Sequence, residues 1–238
     1  MRRRGSAREF CAAGGNCSGS PADFGDVTPL KLALQNDHED IALYLLSLGD
    51  GNPQRLDLER RTVRNNSSLL TLAAKAGMVR VVEALLGHGV NLLSRDTLDQ
   101  LAVCRAVEHC RVEVMNVLLE AHARQGGEGG LGMVLECPCV RSADKEATPL
   151  LFHAISNSST TSLGAQLAIV RCLVQQWAVM TSLSNGRELY PIFCAARTPA
   201  LNVVAFFLDE CGIDVNMTTP RTKETVLHAL VSAKPPSK

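Results

Sequence analysis

Apolar residues in this chain fall into short helical clusters, and the clusters themselves recur. Laying Ser68–Asn91 over the stretch 33 residues further on places Ala73 on Ala106, Val81 on Val114, Leu85 on Leu118 and Leu86 on Leu119. The polar positions between them drift. Constant apolar positions and a varying surface, repeated at this period, predict stacked supersecondary units, each too thin to bury its own apolar stripe.

Each unit predicts two helices. Thr28 can cap the first by bonding an orphan N–H, and Pro29 fits the first turn, where its missing N–H costs nothing. That helix runs to about Asn36. A second runs from about Glu39 to Leu48, with Ile41, Leu45, Leu46 and Leu48 on one face, and Gly49 ends it. The second copy opens at Ser68, turns at Gly77, carries Val81-Val82 and Leu85-Leu86 on its outer helix, and closes with Gly89-Val90-Asn91. The third spans Leu101–Ala123 and has Cys110 where Gly77 stood. The fourth opens at Thr148-Pro149-Leu150-Leu151, its Ala154 one residue late, with an outer helix from about Gln166 to Gln176. The fifth is Tyr190-Pro191-Ile192-Phe193-Cys194-Ala195-Ala196, then Val203 to Leu208, then Gly212-Ile213-Asp214-Val215-Asn216. A sixth opens at Thr225-Val226-Leu227-His228 and shows no second helix before Lys234-Pro235-Pro236, so Leu227, Leu230 and Val231 are expected to lie partly exposed.

A Thr-Pro-Leu helix start, a tight turn, an outer helix ending in Leu-Leu, then glycine and a Val-Asn hairpin tip together resemble the ankyrin repeat. The resemblance covers residues 26–233, with repeats near 26–52, 67–93, 100–123, 147–178 and 189–216 and a partial one at 224–233. It implies an all-α solenoid of helix-turn-helix units joined by short β-hairpin loops. Insertions near 53–66, 124–146 and 156–164 depart from the plain pattern and are expected as loops. Residues 1–25, rich in Gly, Ser, Ala and Arg, are expected to be a disordered tail, and 234–238 a short one. The small residue at Ala33, Ala73, Ala106, Ala154 and Ala195 is expected to let neighbouring helices approach closely.

Composition narrows the function. Of 238 residues, 46% are hydrophobic and only 4% aromatic, so the cores are aliphatic; Lys+Arg and Asp+Glu are both 24, without the basic excess of a nucleic-acid binder. Nine cysteines are scattered, several in apolar helical runs (Cys104, Cys110, Cys172, Cys194), and are expected as reduced thiols of a cytoplasmic or nuclear protein. No apolar run reaches membrane-spanning length.

Candidate chemistry is sparse. Cys137-Pro138-Cys139 has C-x-C spacing without a nearby His, so no metal is expected there. Gly126-Gly127-Glu128-Gly129-Gly130-Leu131-Gly132 is followed by no Lys-Ser/Thr, and reads as a linker rather than a phosphate loop. His109, His122, His153 and His228 read as structural, and no nucleophile–base pair is visible. No catalytic residue, cofactor or metal is expected, and the chain is expected not to be an enzyme.

What the resemblance implies is a protein-interaction module or scaffold that binds through a concave face of inner helices and hairpins. Carried onto this sequence, the exposed positions are Lys31, Gln35, Lys75, Glu108, Arg187, Arg197 and Thr198, four of them basic, which suggests an acidic peptide partner, the alternative being a solvated face with no preference. By the same resemblance Asn216, in Asp214-Val215-Asn216, is a candidate for asparaginyl hydroxylation; the structural alternative is that Asn simply tolerates tight-turn geometry. A monomer without membrane insertion is expected. The second expectation is a fragment or isoform of a larger ankyrin-repeat protein, such as a ubiquitin-ligase adaptor, a signalling scaffold or the cytosolic region of a channel.

Overall fold

The computed structural model describes residues 28–48, 58, 67–125, 134–135, 149–156, 163–177, 190–198 and 200–233. The expected tails, the Gly126–Gly132 run, the Cys137-Pro138-Cys139 motif and most of the three expected insertions lie outside the described residues.

Short helices follow one another along the chain: α1 (Pro29–Gln35), α2 (Glu39–Ser47), α3 (Leu69–Ala76), α4 (Val79–Gly87), α5 (Ala102–Glu108), α6 (Val112–Gln125), α7 (Leu150–Ser156), α8 (Leu163–Arg171), α9 (Pro191–Arg197), α10 (Leu201–Asp209) and α11 (Val226–Ser232). A π-helical turn, Cys172–Gln176, extends α8. Among the described residues, β structure is limited to an antiparallel bridge between Thr218 and Thr225. The class is all-α.

Three of the helix starts are capped by side chains. Thr28 Oγ1 accepts from the Lys31 N–H at 3.2 Å, and Pro29 occupies the first turn. Ser68 Oγ accepts from the Thr71 N–H at 3.2 Å. At α11 the cap is reciprocal, with Thr225 Oγ1 accepting from the His228 N–H and His228 Nδ1 accepting from the Thr225 N–H, so His228 takes the place usually held by Glu.

Helix ends recur more closely than helix starts. Asp37, Gly77 and Cys110 each lie four residues after the small alanine of their copy, and all three are left-handed, with φ of 56°, 89° and 55°. The next residue then donates back to that alanine's carbonyl: His38 to Ala33 at 2.9 Å, Met78 to Ala73 at 3.1 Å, Arg111 to Ala106 at 2.8 Å. A bond reaching five residues back through a left-handed residue satisfies a carbonyl that the helix end would orphan.

The chain divides into two compact units, Met1–Arg105 and Ala106–Lys238, the boundary falling within α5. In the first, α1 packs on α3 and α2 on α4, while α1 packs on α2 and α3 on α4. That makes two layers, α1/α3 and α2/α4. The second unit repeats the arrangement, with α7, α9 and α11 in one layer and α6, α8 and α10 in the other. Ala33, Ala73, Ala106, Ala154 and Ala195 are all buried, as are Leu85 and Leu118. On α11, Leu227 is 58% and Val231 88% exposed.

Candidate functional site

The residues two positions after the small alanines, at or next to the ends of the inner helices, differ in chemistry from copy to copy. In the first unit these are Gln35 and Lys75, both exposed. In the second they include Glu108, which is half-buried, and Arg197, which is exposed. Arg197 Nη2 lies 2.8 Å from Glu224 Oε2, at the base of the 211–225 loop. Thr198 is half-buried and its hydroxyl donates to the Ala195 carbonyl at 2.9 Å, closing α9. Arg187 lies outside the described residues. Asn216 is exposed, and its N–H donates to Asp214 Oδ1 at 2.8 Å in a side-chain-closed turn.

Lys31 requires a correction. Expected on the exposed face, it is only 8% exposed. Lys31 stands three residues before Leu34, so both share the α1 face that packs inward, and Leu32 points out at 50% exposure instead. Of the four basic positions expected to be exposed, Lys31 is buried, Arg197 faces Glu224, Lys75 is exposed and Arg187 lies outside the described residues.

Two polar clusters escape sequence reasoning. In the first unit, the side chain of Asp96 is 0% exposed. Its Oδ1 accepts from the Leu98 N–H at 2.8 Å and the Gln100 N–H at 3.0 Å, and its Oδ2 accepts from Arg105 Nε at 2.9 Å and also from Arg105 Nη2. The available signal was a lone arginine within Leu101-Ala102-Val103-Cys104-Arg105-Ala106-Val107, where the first two copies carry Leu32 and Leu72. In the second unit, Asn116 Oδ1 accepts from Trp177 Nε1 at 3.1 Å and lies 3.0 Å from Cys172 Sγ. Nearby on the outer layer, Glu210 faces Arg171 and accepts from Gln175 Nε2 at 3.0 Å, while the Arg171 guanidinium lies 5.5 Å from the Phe206 ring centre.

Three of the free thiols are shifted upward. Burial pushes the Cys110 thiol up, against the opposing pull of Arg111. Burial likewise raises Cys172, partly offset by its bonds to Asn116 and Trp177, and raises Cys211 with help from Glu210. Each shift moves a thiol away from the reactive thiolate. Burial lowers His122. Cys104, expected as a reduced core thiol, is disulfide-bonded, whereas Cys110, Cys172, Cys194 and Cys211 are free. Among the described residues, no three His, Cys, Asp or Glu side chains come together as a metal site, and no helix is long and apolar enough to cross a membrane.

Within each unit the helices pack in two layers, an all-α arrangement among the described residues. No protein-family model matches the chain, and no curated protein matches it. Among solved structures, it is similar to a chain in the complex of the predatory endopeptidase Bd0816 from Bdellovibrio bacteriovorus with the immunity protein Bd3460, at 20% identity and a TM-score of 0.55, covering 86% of this chain and 90% of that one. At that identity the likeness concerns the fold. It also corrects the expectation that the chain is not an enzyme: the fold occurs in an endopeptidase complex, so helix stacking gives no ground for excluding catalysis.

Proposed function

We propose that the chain is an ankyrin-repeat protein that binds a protein partner through the exposed ends of its inner helices and the adjoining loops. The observation that carries this reading is a contrast within the first three copies. The alanine and the left-handed turn four residues later are kept in place at Ala33/Asp37, Ala73/Gly77 and Ala106/Cys110. Between them, the helix-end residue changes within the first unit from Gln35 to Lys75, both exposed. Constant packing beside variable surface chemistry is what a recognition face built on a repeated scaffold requires. The acidic-peptide preference is not part of the proposal, because Lys31 is buried and Arg197 already faces a carboxylate. Asn216 as a hydroxylation substrate belongs to the proposal and rests on its exposure at the loop tip. Residence in the cytoplasm or nucleus also belongs to it, supported by four free thiols and opposed by the disulfide at Cys104.

The test is capture of partners from lysate by the tagged full chain beside a Gln35→Glu/Lys75→Glu variant, both checked for folding by circular dichroism. Loss of a protein captured by the wild type supports the assignment of the face. Undiminished capture of every partner overturns it.

A further inference from the structure

We propose that Asp96 is a buried carboxylate latch that holds the 91–100 loop, between α4 and α5, in one conformation. The loop contains little backbone pairing of its own: Ser94 N–H to Asn91 O at 3.4 Å, Asp96 N–H to Gln100 O at 3.0 Å and Asp99 N–H to Asp96 O at 3.0 Å. Asn91 Oδ1 accepts from the Leu93 N–H at 2.9 Å and the partly exposed Arg95 donates to the Asp99 carbonyl at 2.7 Å, whereas the single buried Asp96 carboxylate takes four N–H donors, two from the loop backbone and two from Arg105 on α5. The carboxylate is 0% and the Arg105 side chain 17% exposed, so water competes with little of this bonding. The latch ties the loop to a helix nine residues along the chain. It also fixes Leu98 by its own N–H, and that side chain is 44% exposed. Leu93, 51% exposed, is held separately, by the bond from its N–H to Asn91 Oδ1.

The chemistry requires a carboxylate. An amide of the same shape has one acceptor oxygen, and its NH₂ would face either the two backbone N–H groups or the guanidinium, donor against donor.

Hydrogen exchange on the folded full chain tests it, read at the Leu98 and Gln100 amides. In the wild type both are expected to exchange at least ~100-fold more slowly than an unstructured peptide. In Asp96→Asn, protection at both is expected to fall at least ~10-fold while α1 and α2 amides are unchanged. Arg105→Gln, which leaves the two backbone bonds, is expected to give a smaller loss at the same two amides. Unchanged protection in Asp96→Asn overturns the latch. Should that variant fail to fold, the other two measurements decide: wild-type amides exchanging at the peptide rate, or Arg105→Gln amides protected as in the wild type, overturn it, and slow wild-type exchange with loosening in Arg105→Gln supports it.

Discussion

Cys110 carries a β-carbon in a conformation that β-carbons disfavour, with φ of 55°, where its equivalent Gly77 has φ of 89°. The left-handed region costs a non-glycine residue roughly 1–2 kcal/mol, so Cys110→Gly is expected to raise stability by about 1 kcal/mol after the lost packing of a half-buried thiol is set against it. Gly77→Ala should shift the urea midpoint the opposite way. The equivalence of these two positions was legible from the 33-residue spacing. The burial of Lys31 was not, because a charge in a seven-residue helix suggests solvent while the i, i+3 relation to Leu34 turns it inward. His122 supplies a pH dependence. Burial lowers its pKa below the ordinary 6.5, so in acid the unfolded chain binds the proton first. Stability is therefore expected to be at its fuller value above 6.5 and to fall as pH drops from there through the lowered pKa. Replacing His122 with Gln should flatten the urea midpoint between pH 8 and 5.5 relative to wild type, and an unchanged slope would assign the dependence to other groups.

Helices here average two turns and owe little to their own propensity, since isolated helices of this length are marginal in water. What holds them is the layer packing, and the apolar positions that create it stand out in the sequence. Leu85 on α4 and Leu118 on α6 are both 0% exposed. Truncating either to Ala is expected to cost about 2–5 kcal/mol through lost burial and an unfilled cavity, read from urea melts. Enlarging Ala73 to Leu should cost about 1–3 kcal/mol by overpacking. The outer helix after α7 was only partly legible. Its expected course from Gln166 to Gln176 is taken up by α8, which begins at Leu163, and by the π-helical turn from Cys172. Nothing in the apolar spacing announces a π turn. Its position coincides with bonds from Trp177 and Cys172 to Asn116, which lies 61 residues before Trp177 in the sequence.

At the scale of the molecule, the layered all-α architecture was legible because periodic apolar positions report burial directly. The polar clusters were not, because they depend on which side chains meet in space: Arg197 reaches Glu224 across 27 residues, and Arg171 reaches Glu210 across 39. Each unit has its own apolar core, so damage is expected to remain local. In Leu85→Ala, hydrogen exchange should accelerate in α1–α4 more than in α9 and α10, and uniform acceleration along the chain would instead indicate a single cooperative transition. The recurring left-handed turn has a consequence for kinship. Asp37, Gly77 and Cys110 share a fold of the backbone and no letter of the alphabet. What recurs at this turn is a carbonyl's need for a donor, which three different residue types serve here. Scoring by residue identity meets three unrelated characters, while superposition of shape meets one motif three times. A lineage built on such turns can lose its written signature long before it loses its form.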